Sequence, residues 1–284
     1  MLGNPQNPDP NQIPRISLNL ADHWIAISIA GLAIFTGSGL LPVILYLVLT
    51  KVAKLGIRIV LSVIASTIGA ASVLAMLRRI WQLIRPDSTC RPLNARRYEL
   101  DYFQWNFFTG FIYISALMIV AISTSHEIGD ISIRLVSLPI PILILQTTSQ
   151  LLCAWVLIWL RAKYPFRVSS METAALVRPG IYTIVEDVVA VDGGQGQKFR
   201  ELLDARYRSS KPVRVLLERL DLAWGLSGVV VSTVLIAMIS TLPNMDVLFV
   251  IGWLVPWAWA AVLAVSTRSM WKTALMRENL NQVK

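Results

Sequence analysis

The chain has 284 residues, of which 55% are hydrophobic and 15% are charged, with a mean hydropathy of +0.59. A soluble domain carries about 25% charged residues, so this composition excludes an ordinary soluble protein and predicts a membrane protein. The net charge of +9 does not indicate a nucleic-acid partner, because the basic residues flank the apolar runs, as the positive-inside rule describes.

Six long apolar runs, each bounded by charged residues, predict transmembrane helices. They lie at 24–50, 59–77, 102–125, 135–160, 222–242 and 247–267. A helix needs ~20 residues to cross the hydrocarbon core, and a spanning segment in lipid must satisfy its backbone groups internally. The sequence therefore predicts an all-α integral membrane bundle of six transmembrane helices.

The distribution of basic residues predicts how this bundle faces. With both termini in the cytosol, 22 of the 26 basic residues lie on the cytosolic side. The opposite side then keeps only Lys51, Lys54, Arg58 and Arg134. The inverted topology would reverse this ratio, against the rule that cytosolic loops carry the excess. We therefore expect cytosolic N- and C-termini, with membrane lipids as partners.

The order of the apolar runs divides the chain into five segments. Residues 1–20 are rich in proline and asparagine and are predicted to form a disordered tail. The first four transmembrane helices occupy 21–160, a cytosolic amphipathic insert 161–218, the last two transmembrane helices 219–270 and a cytosolic tail 271–284. The first apolar run is too long for a cleavable signal peptide and is expected to be a retained anchor.

The insert carries patterns typical of three helices. Pro179 begins the first helix and Gly193 ends it, the usual placement of these residues. Its apolar stripe has helical spacing and consists of Ile181, Ile184, Val185, Val188 and Val189. A second helix is predicted at 197–208, and a third begins at Pro212 and continues into the fifth span. Basic amphipathic helices suit the surface of an anionic leaflet.

Acidic residues occupy both faces of the first insert helix. Glu186 and Asp187 fall on its polar side, where we expect a solvated face. Asp192 instead continues the apolar stripe, four residues after Val188. The glycine-rich turn that follows could cradle a phosphate, but it lacks the spacing of a P-loop.

Polar stripes on three of the predicted spans indicate a candidate binding site. Polar side chains are costly in lipid and tend to face the bundle interior. The stripes comprise Glu99, Tyr102, Asn106, Thr109 and Tyr113 on the third span, Gln146 and Gln150 on the fourth, and Asp221, Trp224, Gly228 and Ser232 on the fifth. They can line one cavity open to the inner leaflet. The predicted substrate-binding residues are Tyr102, Asn106, Tyr113, Gln146, Gln150 and Trp224.

Three carboxyl groups at the ends of these spans are the candidate catalytic acids. Desolvation raises the pKa of a carboxyl group, so Glu99, Asp101 or Asp221 could hold a proton at neutral pH and deliver it. Tryptophan faces could stabilise a carbocation. The alternative is structural: such carboxylates often pair with arginine, polar residues within spans join helices, and tryptophans mark the membrane interface.

Familiar metal and cofactor signatures do not occur in the sequence. It has no aspartate-rich diphosphate–magnesium motif, no histidine box, no Ser/His/Asp set and no haem ligand pair. The two histidines, His23 and His126, are expected on opposite sides of the membrane and cannot share a metal. We therefore predict no cofactor and no metal site.

Two sequence blocks carry a resemblance to known proteins. The block RPGIYTIVEDVVAVDGGQGQKFRELLDARY, preceded by RRYELDYFQWNFFTGF, resembles filamentous-fungal multi-pass membrane proteins. This resemblance implies a fungal host and an endoplasmic reticulum or other endomembrane location. The small size, helical spans and acidic span ends are more distantly similar to the membrane-bound terpene cyclases of fungal meroterpenoid pathways. Those enzymes protonate an epoxide or olefin with carboxylic acids, but their motifs do not match residue by residue, so no site is transferred.

Three hypotheses for the function follow. The first is an enzyme of secondary metabolism that cyclises a lipophilic, isoprenoid-type substrate by protonation, and it predicts a dead-end pocket. The second is a non-catalytic scaffold that holds pathway enzymes at the membrane through the insert, and it predicts sensitivity to changes in 178–211. The third is a transporter subunit, which requires a polar path from one side to the other.

Overall fold

The computed structural model describes residues 32, 35–125 and 129–282, and this part of the chain is all-α, with no β-strand. Its helices are α1 (Thr36–Val52), α2 (Ile57–Ile84), α3 (Tyr102–Thr124), α4 (Gly129–Ser137), α5 (Pro139–Trp159), α6 (Gly180–Asp187), α7 (Gly196–Ser209), α8 (Lys211–Thr241) and α9 (Met245–Gln282). A π-helical turn, Val188–Asp192, extends α6.

Five helical segments are long and apolar enough to cross a membrane. They are Ile57–Ile84, Tyr102–Thr124, Asp130–Trp159, Lys211–Thr241 and Met245–Thr273. These lengths and compositions make the chain a multi-pass membrane protein. Helix α1 covers the second half of the first predicted run, but residues 1–31 lie outside the described part. The predicted sixth span and the predicted N-terminal tail therefore remain predictions.

The fourth predicted span is interrupted near one end. Helix α4 ends at Ser137 and α5 begins at Pro139, the first residue of a Pro-Ile-Pro motif. Proline suits the first turn of a helix because it has no N–H to donate. The two helices together form the membrane-length segment Asp130–Trp159.

Glycines on α8 allow α8 to pack tightly against α5. A Cβ atom at Gly228 would lie 2.2 Å from Thr148 Cγ2, and one at Gly225 would lie 2.8 Å from Leu152 Cδ2. Small residues at helix interfaces in membranes permit such close backbone approach. The predicted stripe member Gly228 therefore serves helix packing rather than a cavity.

The segment 161–210 folds into a compact layer over one end of the bundle, which we call the insert end. Helix α6 follows Pro179 and its extension stops before Gly193, and α7 spans Gly196–Ser209. Helix α8 starts beside Pro212, with Ser210 as its N-cap. The three helices predicted for the insert are thus present. Their shared apolar core consists of Met171, Tyr182, Phe199, Leu203, Val213 and Leu217.

Candidate functional site

Hydrogen-bonded side chains bridge α3 and α5 along one line, which we call the polar ladder. Its members are Tyr102, Asn106, Tyr113, Gln146 and Gln150. Tyr102 donates its hydroxyl proton to Gln150 Oε1, and Tyr113 donates to Gln146 Oε1. Gln146 Nε2 donates to Asn106 Oδ1 at 3.0 Å. Five of the six predicted binding residues therefore meet in one network, and all five are half-buried.

A pocket of about 280 Å³ adjoins the ladder at the insert end, and we call it the cleft. It is lined by Leu100, Tyr102, Trp105, Asn106, Thr109, Gln150, Phe166, Arg167, Val168 and Ser169. Trp105 and Phe166 are 60% and 67% exposed. The insert supplies one wall of the cleft and α3 and α5 supply the others. The cleft thus combines an aromatic rim with converging hydrogen-bonding groups, as small-molecule sites do.

The polar groups of the cleft are neutral, apart from one guanidinium. Tyrosine hydroxyls and amide groups both donate and accept hydrogen bonds, whereas Arg167 only donates. Among the described residues that line the cleft, none carries a carboxyl group. This set of groups suits a hydroxyl, carbonyl or epoxide oxygen on an otherwise lipophilic molecule.

Asp101 and Asp221, two of the predicted acids, hold structural positions. Asp101 is fully buried, accepts the Gln104 N–H at 2.8 Å as the N-cap of α3, and pairs with Arg79 at 2.6 Å. Asp221 accepts the N–H groups of Gly180 and Ile181 at 2.7 and 2.8 Å. A carboxylate at the first N–H groups of a helix is stabilised by unpaired donors and the helix dipole. Asp221 therefore fastens α6 to α8.

The third predicted acid, Glu99, lies at the surface beside the cleft. It accepts the Arg96 backbone N–H at 3.0 Å and pairs with Arg167 at 3.2 Å, with its side chain 40% exposed. Glu99 does not line the cleft, but its partner Arg167 does. Glu99 is therefore linked to the cleft only indirectly, by its ion pair with Arg167.

Trp224, the sixth predicted binding residue, faces a different helix. Its Nε1 donates to Thr267 Oγ1 on α9 at 2.9 Å, and its ring meets Trp259 edge to face at 5.5 Å. It does not line the cleft. The structure thus separates Trp224 from the polar ladder.

Behind the cleft lies a buried group of charges, which we call the charge cluster. It comprises Arg79, Asp101, Glu186, Asp187 and Arg200. Arg200 Nη1 contacts Glu186 Oε1 at 2.9 Å and Asp187 Oδ1 at 2.7 Å, and all three side chains are fully buried. The cluster joins α2, α3, α6 and α7.

The prediction that Glu186 and Asp187 lie on a solvated face is wrong. Helix α7 covers that face of α6 and brings Arg200 against both carboxyl groups. The apolar stripe of α6 is instead partly exposed, with Val185 37% exposed. Asp192, expected to continue that stripe, is about half exposed and pairs with Arg79. Periodicity identified two faces of α6, but the partners on α7 and α2 decide which face is buried.

Asp187 is the one cluster carboxyl group that reaches the cleft, through a single hydroxyl. Ser169 Oγ donates to Asp187 Oδ2 at 2.6 Å and accepts the Tyr102 N–H at 2.9 Å, and Ser169 lines the cleft. Burial, aided by the negative charge of Asp101, raises the pKa of Asp187 to about 7, although Arg200 opposes the shift. Burial also raises the pKa of Glu186.

Sequence reasoning missed Ser169, Arg79 and Arg200. Ser169 lies in an irregular connection with a left-handed backbone, φ 47°, so no periodic pattern signals its position. The two arginines were counted as part of the positive charge beside the membrane. The only available signal was the excess of acidic residues in α6, which need counter-charges once buried.

The fold and the cleft define an all-α, multi-pass membrane protein with a polar site between two of its long helices. A family model described as a domain of unknown function, DUF8766, matches residues 3–281. Because the match spans almost the whole chain, the protein belongs to this family. Comparison with curated proteins and with solved structures gives no match.

Proposed function

We propose that the protein is a membrane enzyme that binds the oxygen-bearing group of a lipophilic, isoprenoid-type substrate in the cleft and cyclises it by protonation. The observation that carries this proposal is the polar ladder with its adjoining pocket. Polar residues often join membrane helices without further function. Here, however, Tyr102, Asn106 and Gln150 belong to the ladder and also line a pocket that Arg167 and Ser169 complete.

Asp187 is the acid that the geometry favours over Glu99, Asp101 and Asp221. In the proposed step Asp187 is protonated and donates to Ser169 Oγ, the reverse of the hydrogen bond that the ionised carboxylate accepts, and the Ser169 hydroxyl hydrogen rotates towards the substrate. The Asp187 proton then moves to Ser169 Oγ while the Ser169 hydroxyl proton moves to the substrate's epoxide oxygen or double bond. The resulting carbocation closes the ring by forming a carbon–carbon or carbon–oxygen bond. Loss of a proton from the product cation to Ser169 restores the proton on Asp187. The reaction is an isomerisation and needs no cofactor.

The environment of the relay supports proton transfer. A pKa near the working pH balances the available acid against its strength as a donor, and the pKa of Asp187 is about 7. A serine hydroxyl can donate and accept at once because its hydrogen rotates. The rings of Tyr102, Trp105 and Phe166 lie around the cleft and can stabilise positive charge on the substrate.

The test is product analysis in a heterologous fungal host fed polyprenyl phenols and their epoxides. The wild-type chain is expected to give a cyclised product, and Ser169→Ala is expected to lose it because the relay is broken. Ser170→Ala is the matched control, because it removes a neighbouring hydroxyl that bonds the Leu93 N–H and Glu186 but does not line the cleft. Full product from Ser169→Ala would reject the relay. Absence of product from the folded wild type on every substrate would reject the cyclase.

We also propose six spans with both termini cytosolic, a fungal host and an endoplasmic reticulum or other endomembrane location. The support is the concentration of basic residues at the insert end, against Lys51, Lys54, Arg58 and Arg134 at the other. Exposed Trp81, Trp159 and Tyr98 near the insert end fit an interfacial belt of amphipathic rings. A glycosylation acceptor site added between Lys51 and Arg58 should be modified only if that loop is lumenal.

A scaffold for pathway enzymes is the second candidate function. It is favoured by the charge cluster, which attaches the insert to the bundle through buried ion pairs and so presents a fixed surface. Replacing exposed residues of α7, such as Glu201, would then disturb partner recruitment without affecting the cleft.

A transporter is disfavoured because the ladder ends at Tyr113 and Gln146, and the cavity beyond them is mostly apolar within the described residues.

A further inference from the structure

A larger cavity lies within the membrane-spanning part of the bundle, separate from the cleft. Its volume is about 610 Å³, within the roughly 300–1,000 Å³ of small-molecule sites. Helices α1, α2, α3, α5 and α9 all contribute to its walls. Along α3 its lining residues run from Phe107 to Ile122, which is about 22 Å at a rise of about 1.5 Å per residue. The cavity is therefore elongated in the direction of the helices.

The cavity opens sideways, at exposed lining residues of α2 and α3. Ser66 of α2 is exposed, and Ile119 of α3 is 65% exposed. Both residues lie well inside helices that are long and apolar enough to cross a membrane, so the opening faces hydrocarbon. The molecules that can enter from this side are therefore membrane lipids.

The lining suits an uncharged and rigid ligand. Among the described residues that line the cavity, none carries a charge. Two tryptophan rings of the wall are held in place: Trp253 Nε1 donates to the Val136 carbonyl at 3.2 Å, and Trp257 packs edge to face against Phe35 at 6.0 Å. A rigid ligand loses little conformational freedom in such a preformed space.

Three lining serines offer hydrogen bonds that the protein itself does not use. Ser66, Ser72 and Ser115 make no hydrogen bond in the described part of the chain. By contrast, Thr67 and Ser123, on the same two helices, donate to carbonyls of their own helix. An unpaired hydroxyl in an apolar environment is costly. A ligand with a hydroxyl group would satisfy one of these serines, whereas an acyl chain would not.

Gly69 marks a part of the cavity wall with no neighbouring atoms. It lies on α2 between Ser66 and Ser72 and lines the cavity. A Cβ atom at Gly69 would have no atom within 4 Å, apart from its chain neighbours and the backbone of its own helix. The space beside Gly69 therefore accepts additional atoms without displacing a side chain.

We propose that this cavity binds a lipid with the chemistry of a sterol: an uncharged, rigid apolar body with a single hydroxyl group. The lipid enters from the bilayer between α2 and α3 and lies along α3. Its body packs against the aromatic rings, and its hydroxyl group bonds to one of the three serines. The inference is independent of the cleft and of the proposed cyclisation.

The first test measures binding of dehydroergosterol, a fluorescent sterol, to the purified full chain in phosphatidylcholine nanodiscs by energy transfer from tryptophan. Gly69→Leu fills the cavity and is expected to weaken binding by roughly tenfold or more, because the sterol loses buried apolar area. Ala70→Leu is the matched control, because Ala70 is the next residue on α2, is exposed and does not line the cavity. Ser72→Leu is a second cavity-filling variant in case Gly69→Leu does not fold.

The second test isolates the hydroxyl contact with cholestanol and cholestane as competitors, because they differ only by one hydroxyl group. Cholestanol should displace dehydroergosterol from the wild type about two- to tenfold better than cholestane, as one net hydrogen bond predicts. The combined replacement Ser66→Ala, Ser72→Ala and Ser115→Ala should remove this preference.

Two results would overturn the proposal. Energy transfer that rises without saturation, or that is equal in Gly69→Leu and Ala70→Leu, would show that phospholipid chains fill the cavity and that no sterol site exists. Saturable binding with equal displacement by cholestanol and cholestane would show a site for hydrocarbon of any kind. Saturable binding that Gly69→Leu weakens, with a preference for cholestanol that depends on the serines, would support the sterol site.

Discussion

The charge cluster and the polar ladder are neighbours at the insert end, yet they bury polar groups in different ways. In the cluster, three buried carboxyl groups face two guanidinium groups, and Ser169 connects one of the three, Asp187, to the cleft. In the ladder, neutral groups pair with one another and remain half-buried beside the cleft. The charged region holds parts of the protein together, whereas the neutral region retains donors and acceptors for a ligand.

Of the substitutions in the charge cluster and the polar ladder, Arg200→Met is expected to lower the stability of the fold most. Arg200→Met removes the buried guanidinium that contacts both Glu186 and Asp187, and breaking a buried ion pair from one side typically costs about 3–5 kcal/mol. We expect a large fall in the thermal unfolding temperature and rapid proteolysis within 161–210. Arg208→Met is the control, because its pair with Asp204 is exposed and worth about 0.5 kcal/mol or less. Equal effects of the two variants would contradict a structural role for the cluster.

The pH dependence of stability tests the proton on Asp187. The folded protein keeps this proton up to about pH 7, whereas the unfolded chain releases it near the ordinary value of 3.8. The folded state therefore binds more protons between these values, and stability should fall as the pH rises from about 4 to 7, by a few kcal/mol. The charges of Asp101 and Glu186 favour the proton on Asp187, and Arg200 and the Ser169 hydrogen bond oppose it.

Denaturation of the detergent-solubilised chain at several pH values checks this sign. Asp187→Asn should flatten the curve in that window. A rise in stability from pH 4 to 7 that Asp187→Asn abolishes would mean that the folded protein holds Asp187 ionised. Such a result would also remove it as the acid.

Asp221→Asn should have an intermediate effect. In the folded protein each carboxylate oxygen of Asp221 accepts one backbone N–H, from Gly180 or Ile181. Asparagine has one side-chain oxygen, so one of these two hydrogen bonds is lost, which typically costs about 1–3 kcal/mol. We expect a lower unfolding temperature with the cyclised product retained per folded molecule. Glu99→Gln, at the surface, should change stability little. Loss of product from fully folded Asp221→Asn would return Asp221 to the list of acids.

The smallest stability effect is expected in the ladder. Gln146→Leu removes two side-chain hydrogen bonds, with Asn106 and Tyr113, and interhelical hydrogen bonds in membranes average about 0.6 kcal/mol each. The unfolding temperature should therefore shift by only a few degrees, while affinity for a polyprenyl phenol falls. A strong destabilisation without loss of affinity would show that the ladder only joins α3 and α5.

The sequence predicted the ladder well because one physical rule governs it. A polar side chain within an apolar helix has to face other protein, so helical spacing alone grouped Tyr102, Asn106, Tyr113, Gln146 and Gln150. The length and apolar composition of the runs likewise identified the five long helices. These features depend on local pattern and on the lipid environment, both of which are readable from the chain.

The sequence alone did not show which residues would pair with these carboxyl groups in the folded protein. Asp101 and Asp221 were correctly recognised as costly carboxyl groups at span ends, but their partners come from α2 and α6, distant in sequence. The burial of Glu186 and Asp187 depends on Arg200, which only tertiary packing brings near. Trp224 follows the helical spacing of the polar stripe, but its ring packs against α9. Helical spacing shows which residues share a face of a helix, and it does not show which helix that face contacts.

The wall of the cleft that carries Arg167 and Ser169 has a consequence for biogenesis. These residues follow α5 in the chain, so the membrane helices up to Trp159 can enter the bilayer before this wall exists. The proton relay is complete only after residues 161–210 have folded against α2 and α3. In the proposed mechanism, a newly inserted chain therefore has an incomplete site until residues 161–210 have folded.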